Sequence, residues 1–162
     1  AERAGVELFL VDAKAKGITR RDYPTVDGFR ASEVYFENVS IPGDALLPGG
    51  IELIELLADE AAVALCAEAS GVARKLLEGT VEYTKQRKQF GQPIGKFQAL
   101  QHRMADMLVE AQQIDSMTLM GTLRLGLSAD ERKAAVSLAK AKVARSIKFV
   151  GQSARLNLDG FR

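Results

Sequence analysis

The chain has 162 residues, 47% of them hydrophobic, and a formal net charge of +1. This composition is typical of a globular protein with an apolar core, and a charge near zero argues against a general attraction to nucleic acid or a membrane surface. The single cysteine disfavours an intrachain disulfide, so we expect a reducing, cytoplasmic location. With only one histidine beside it, a metal site is also disfavoured. The sequence has no apolar run long enough to predict a transmembrane helix.

The first 48 residues carry short patterns that are typical of β-strands. Residues 6–11 are rich in β-formers, residues 17–21 form a second candidate, and residues 29–39 alternate between apolar and polar side chains. Because no helical pattern separates these runs, we expect antiparallel pairing. Turn-forming residues stand between the runs: Pro24, Asp27, Gly28, Pro42 and Gly43.

From residue 51 onwards, apolar residues recur every three or four positions, which predicts helices. The first should run over residues 51–88 and the second over residues 97–125, closed by Gly126 as a C-terminal cap. Ser128 followed by Glu131 is a capping box that predicts the start of a third helix.

The predicted fold class is α+β. An antiparallel β segment in residues 1–48 should precede three long antiparallel helices in residues 49–162. Helices of this length joined by short loops stack as most of a four-helix bundle. The pattern of a fourth helix is missing, so we expect this bundle domain to be incomplete.

The segment between the first two helices, YTKQRKQFGQPIGKFQALQ at residues 83–101, is the strongest candidate site. Its cations Lys85, Arg87 and Lys88 lie where positive charge complements the negative end of a helix dipole. The same cations could bind phosphate, and Arg87 is the best candidate because its planar guanidinium can hold two phosphate oxygens. The residues alone leave both interpretations open.

Other polar and aromatic residues have structural interpretations. Phe90 is more typical of core packing than of stacking on a cofactor, and Cys66 is most simply a small buried hydrophobe. His102 suits a hydrogen-bonding role at the edge of the bundle. Asp59 and Glu60 could be an acid pair, but adjacent residues point about 100° apart on a helix and would not converge on one substrate.

The segment RKQFGQPIGKFQALQHRMADM, residues 87–107, resembles the signature that joins two helices in the C-terminal bundle of acyl-CoA dehydrogenases. FLVD and FENVSIPGDALL resemble the second half of the middle β-domain of that family. ADEAAVALCAEASG is most similar to the small subunit of pimeloyl-CoA dehydrogenase. Family chains are longer and this one starts at Ala1 without a methionine, so we expect it to be part of a larger protein.

The resemblance implies oxidation of an acyl-CoA thioester to trans-2-enoyl-CoA. In this family a carboxylate removes an α-proton and the β-hydride passes to N5 of FAD. The resemblance further implies a homo- or hetero-oligomer, an electron-transfer acceptor protein and, from the subfamily, a dicarboxylyl-CoA substrate such as pimeloyl-CoA.

The resemblance also assigns residues. The implied acyl-CoA contacts are Glu60, Ala61 and Ala62. Arg87 corresponds to the arginine that binds FAD phosphates across a subunit interface. The implied FAD-binding residues are Arg87, Lys88, Gln89, Phe90, Phe97, Gln98 and Gly160.

The chain departs from the family pattern where a catalytic base is expected. Some members place a carboxylate at the position of Ala61, often followed by an arginine at the position of Ala62. Others place it beyond a Gln-Leu-His-Gly-Gly-type loop, to which residues 155–162 correspond, and only Gly160 fits that loop. The catalytic residue is therefore unknown, and we expect the chain alone to be inactive. The alternative is a non-catalytic subunit or structural module that completes a partner's FAD site.

Overall fold

The structure, a computed structural model, describes residues 5–159. The chain divides into two compact units between Glu55 and Leu56. The first unit carries short antiparallel strands and the second carries long helices, which confirms the predicted α+β class. The assignment of residues 1–48 to a middle β-domain and of residues 49–162 to an incomplete bundle domain stays a prediction.

The β-rich unit contains two separate antiparallel pairs. Strand β1 (Leu8–Phe9) pairs with β4 (Leu46–Leu47), and β2 (Ile18–Pro24) pairs with β3 (Arg30–Phe36). All the predicted strands are present, but residues 6–11 contribute only two residues to a strand. Their partner β4 is equally short because it follows a 3-10 turn directly.

The turn between β2 and β3 forms around Asp27, as the sequence predicts. The Thr25 backbone N–H donates to the Phe29 carbonyl at 2.9 Å, and the Gly28 N–H donates to the Thr25 carbonyl at 3.0 Å. The Asp27 carboxylate accepts from the Phe29 N–H at 3.2 Å and from the Thr25 hydroxyl. These bonds, the one from Thr25 first, lower the pKa of Asp27.

One face of this hairpin is apolar and exposed. Val34 and Phe36 lie on the same side of β3, as the alternation predicts, and are 44% and 67% exposed. With Ile18 of β2 and Phe9 they line a shallow cleft of about 610 Å³. The alternation therefore predicted the strand and its two faces, although within this unit the apolar face stays open to solvent.

Among the described residues, the second unit contains most of one long helix, α1 (Gly50–Gln86), and two further long helices, α2 (Gln98–Leu123) and α3 (Ala129–Asp159). The Thr118 hydroxyl of α2 donates to the Cys66 carbonyl of α1 at 3.3 Å. Thr84, further along α1, contacts Met104, which lies earlier on α2. Helices α1 and α2 therefore run antiparallel, as predicted.

Helices α2 and α3 also run antiparallel. Gly121, near the end of α2, lies against Ala139 of α3, and a Cβ placed on it would be 3.3 Å from the Ala139 Cβ and 3.4 Å from the Val63 Cγ2 of α1. Earlier on α2, Met107 contacts the later residue Asn157 of α3. Glycine at position 121 lets the three helices approach closely.

The apolar core lies between these three helices. Met107, Ile114 and Val150 are all 0% exposed. Cys66 is 4% exposed, which confirms its role as a small buried hydrophobe, and burial raises the pKa of its thiol. The buried cluster consists of Cys66, Ala73, Met107, Ala111, Ile114, Val143, Val150 and Ala154.

Polar side chains form ion pairs and hydrogen bonds between the helices at the edge of this core. Arg132 of α3 donates to the Asp59 carboxylate of α1 at 2.8 Å, with both side chains largely buried. Between α2 and α3, the Glu110 carboxylate accepts from the Lys142 ammonium at 2.8 Å and from the Ser146 hydroxyl at 2.5 Å. The Lys142 bond, followed by the Ser146 bond, lowers the pKa of Glu110.

The ends of the helices differ from the prediction by a few residues. Helix α1 stops at Gln86 because the next residues form a short hairpin. Helix α2 ends at Leu123 with Arg124 as its cap, so the prediction of Gly126 as the cap is wrong. Its last turn tightens instead, with the Arg124 N–H donating to the Gly121 carbonyl at 3.3 Å.

Helix α3 starts close to the predicted position. The Ser128 hydroxyl donates to the Glu131 carboxylate at 2.6 Å and the Arg132 N–H donates to the Ser128 carbonyl at 2.9 Å, so α3 starts after Ser128 as predicted, although the two side chains bond to each other rather than to the backbone. Within residues 5–159, no helix has a stretch long and apolar enough to cross a membrane.

Candidate functional site

The segment between α1 and α2 opens with a tight hairpin. Strand β5 (Lys88–Gln89) pairs antiparallel with β6 (Gln92–Pro93). The two residues at its tip, Phe90 and Gly91, have φ angles of 53° and 80°. Positive φ at both central residues is the geometry of a type I′ turn, which glycine adopts readily and phenylalanine rarely does. Phe90 and Gly91 therefore form the two-residue turn of this hairpin.

The base of this segment is fixed against the helices. Ile94 is 0% exposed, and its N–H donates to the Arg87 carbonyl at 2.9 Å. Gly95 lies so close to α1 that a Cβ there would be 3.2 Å from the Thr84 carbonyl oxygen. Gly95 therefore serves close packing on α1, whereas Gly91 serves the turn.

The tip of the hairpin presents charged and aromatic groups to solvent. Arg87, Lys88 and Gln98 are exposed, and Phe90 is 84% exposed. The Phe90 and Phe97 rings meet edge to face, with centroids 6.1 Å apart and planes at 88°. The core-packing interpretation of Phe90 is therefore wrong, because the turn holds its side chain outside the core.

The structure brings the implied cofactor-binding residues from 87 to 98 into one compact segment. Gln89 and Phe97 are half-buried beside the exposed members. A guanidinium, an ammonium and an aromatic pair at one loop can bind an anionic ligand that has a planar ring. We name residues 87–98 the cationic loop.

The positions of the cations are also compatible with electrostatic stabilisation of the helix by positive charge at its C-terminal end. The Arg87 N–H donates to the Tyr83 carbonyl at 2.9 Å, so Arg87 follows directly on the last turn of α1. Lys85 lies in that turn and lines a notch of about 310 Å³ together with Pro93, Lys96 and Met104. Geometry alone keeps both interpretations of Arg87.

The implied substrate contacts lie far from the cationic loop. Glu60 and Ala61 are exposed and Ala62 is half-buried, all in the first third of α1. Because a helix rises about 1.5 Å per residue, Ala61 and Arg87 are about 40 Å apart along α1. One copy of the chain therefore does not bring the implied substrate and cofactor residues together.

The carboxylates next to Ala61 do not form an acid pair. Asp59 is bound to Arg132 at 2.8 Å with only 16% of its side chain exposed. Glu60 is exposed on a different part of the helix surface. The prediction that the two carboxylates do not converge is confirmed.

The segment that corresponds to the family's second base-bearing region is only partly described. Gly160, the one residue that fits the family's loop, lies outside the described residues. Helix α3 continues to Asp159, and Asn157 is fully buried. Up to residue 159 this segment is therefore helical rather than a loop.

Comparison with known proteins identifies the family. Residues 49–156 match the family described as acyl-CoA dehydrogenase, C-terminal domain. The probable acyl-CoA dehydrogenase FadE25 of Mycobacterium tuberculosis is 35% identical over 122 residues, which cover 72% of this chain and 31% of that protein. The acyl-CoA dehydrogenase IpdE2 of the same organism is 60% identical over 53 residues, covering 33% of this chain and 17% of that protein.

A solved structure gives the same result for the fold. A glutaryl-CoA dehydrogenase from Mycobacterium smegmatis in complex with FADH2 matches with a TM-score of 0.82 and 26% identity, covering 95% of this chain and 41% of that one. The chain spans about a third of the length of FadE25, at 31%. The family match covers the helices and the cationic loop between them. The chain belongs to the acyl-CoA dehydrogenase family.

Proposed function

We propose that the chain is part of a flavin-dependent acyl-CoA dehydrogenase that converts an acyl-CoA thioester to trans-2-enoyl-CoA. Similarity to the pimeloyl-CoA dehydrogenase small subunit supports a dicarboxylyl-CoA substrate. The single cysteine, Cys66, suits a reducing compartment, so the proposed location is the cytoplasm. A protein acceptor would take the electrons, as the family resemblance implies.

The observation that carries this proposal is the exposed hairpin tip of the cationic loop. Phe90 is 84% exposed and held at positive φ, and its edge-to-face contact with Phe97 leaves most of its apolar surface in solvent, which is costly. Contact with a planar ring would cover its apolar surface. The residues present therefore fit FAD, which supplies a hydride acceptor when bound.

The implied FAD-binding residues of the loop have distinct roles in this proposal. Arg87 would hold phosphate oxygens through its planar fork, and Lys88 would add positive charge beside it. Phe90 and Phe97 would contact the ring systems, while Gln89 and Gln98 would offer amide hydrogen bonds. The buried side chain of Ile94 keeps this set in place.

The distance of about 40 Å between Ala61 and Arg87 along α1 supports an oligomer. A cationic loop from one copy would complete a site whose substrate contacts come from another chain. Exposed apolar residues on α1 supply surface for such association, since exposed apolar patches often mark interfaces. Those on α1 are Leu57, Leu65 and Val72.

A second candidate function is a non-catalytic subunit that completes a partner's FAD site. It is favoured by alanine at position 61, where some family members carry the catalytic carboxylate, and by the pairing of Asp59 with Arg132, which occupies the carboxylate two positions earlier. A missing general base commonly lowers rates by about 10²–10⁴-fold. We therefore expect the purified 162-residue chain, supplied with FAD and an electron acceptor, to form no measurable enoyl-CoA.

Replacement of Arg87 tests FAD binding by the cationic loop, which both candidate functions require. In the protein expressed from its full gene, Arg87→Ala should weaken FAD binding by about 1.5–3 kcal/mol, the scale of a hydrogen bond to a charged group. Arg87→Lys should recover part of this, because an ammonium keeps the charge but loses the fork. Flavin absorbance per protomer and an FAD titration measure both effects.

Lys85→Ala is the matched control, since Lys85 shares the helix end but is not among the residues implied to bind FAD. If the cations only complement the helix dipole, all three variants should be slightly less stable and bind FAD as the wild type does. Unchanged FAD affinity in Arg87→Ala would remove the basis of the proposal.

A further inference from the structure

The side chain of Gln101, in the first turn of α2, makes a hydrogen bond to the segment that precedes this helix. Its side-chain Nε2 donates to the Gly95 carbonyl oxygen at 3.0 Å. Its backbone N–H donates to the Phe97 carbonyl at 3.1 Å, within the first turn of the helix. The side chain thus reaches back across the start of α2 to the 3-10 turn Ile94–Lys96.

The bond closes a small ring of chain around two of the proposed FAD contacts. Five residues, Lys96 to Leu100, separate Gly95 from Gln101, and they include Phe97 and Gln98. On its other side, Gly95 lies against Thr84 of α1, within 3.2 Å of where a Cβ would stand. Gly95 is therefore held between α1 and the side chain of Gln101.

We propose that Gln101 is a positioning residue which, through the Gly95 carbonyl, sets Phe97 and Gln98 relative to Arg87 for binding of the flavin nucleotide. This inference depends on the proposed function of the cationic loop. Gln101 itself is exposed, so its bond competes with water and contributes little to overall stability. Its main effect is to restrict the conformations of the segment, which reduces the entropy that binding must remove.

The test compares Gln101→Met with Gln112→Met. Methionine keeps the length of glutamine and removes the donor, and Gln112 is an exposed glutamine on the same helix. In the protein expressed from its full gene, we expect Gln101→Met to weaken FAD binding about two- to tenfold, the range of a neutral hydrogen bond. Gln101→Glu should weaken it further, because a carboxylate also lacks the donor and adds a negative charge that repels the Gly95 carbonyl oxygen.

Amide hydrogen exchange without FAD supplies a second readout. The Phe97 and Leu100 N–H groups are hydrogen-bonded in this segment, and both should exchange faster in Gln101→Met than in Gln112→Met. Thermal unfolding midpoints of the two methionine variants should agree. A merely structural role would instead lower the midpoint of Gln101→Met and leave FAD affinity unchanged, and that result would overturn the inference.

Failure of this inference can be distinguished from failure of the proposed function. If Arg87→Ala weakens FAD binding and Gln101→Met does not, the cationic loop binds FAD and Gln101 has no positioning role. If neither variant changes FAD affinity, the proposed function fails and the inference fails with it, whatever the exchange rates show.

Discussion

The cationic loop and the interface between α2 and α3 are neighbours in the fold but are held in different ways. At the interface, apolar side chains such as Met107, Ile114 and Val150 are 0% exposed. In the loop, Ile94 is the one fully buried side chain among residues 87–98, and hydrogen bonds and one tight turn shape the rest. We therefore expect the interface to determine the stability of the protein and the loop to determine its affinity for the ligand.

The largest effect on stability should come from the interface. Ile114→Ala removes buried methyl groups and leaves a cavity between three helices, which should lower the free energy of unfolding by about 2–5 kcal/mol. FAD affinity of the folded protein should not change, because Ile114 lies outside the loop. Urea denaturation and an FAD titration check the two halves of this prediction. A loss of affinity without a loss of stability would erase the distinction between the regions.

A smaller effect should follow from the ion pair at the edge of the same interface. The Lys142 bond and then the Ser146 bond lower the pKa of Glu110. The stabilisation that results is complete above the ordinary glutamate pKa of about 4.3 and is lost as the pH falls through the lowered pKa of the folded state. The free energy of unfolding should therefore drop below about pH 4.3 by more in the wild type than in Glu110→Gln. Denaturation curves at several pH values measure the difference, and parallel declines would contradict it.

The smallest effect on stability should come from the hairpin tip. Phe90 is 84% exposed, so Phe90→Ala should change the free energy of unfolding by no more than about 0.5 kcal/mol. The same change should weaken FAD binding, because it removes an aromatic surface that the ligand would cover. A clear destabilisation with unchanged binding would instead assign Phe90 to the folded core.

The interface was largely predictable from the sequence, because its helices follow one period over many turns. Errors were limited to helix ends, where Arg124 rather than Gly126 caps α2. Local hydrogen bonds decide such ends, and the apolar period carries no information about them. The start of α3 after Ser128 was predictable because Ser128 and Glu131, which bond to each other, are close in the sequence.

The loop was less predictable. A Phe-Gly pair lacks the usual Asn-Gly or Asp-Gly signal of a type I′ turn, so the hairpin at residues 88–93 was missed, and with it the exposure of Phe90. No local pattern indicates that Gln101 reaches Gly95, since a side-chain bond to a 3-10 turn leaves no periodic signal. The chemistry of the side chains pointed to Arg87 and Lys88, whereas the other residues of the candidate site came from the family resemblance.

The most direct test of the division between the two regions is hydrogen exchange of the protein with and without FAD, followed residue by residue. The account predicts that FAD slows exchange most in residues 88–98, with the largest change at the hairpin tip and at Phe97. The amides of the α2–α3 interface should change little, because their protection already comes from burial. Bound FAD that left the cationic loop unprotected would contradict the central claim that this loop holds the cofactor.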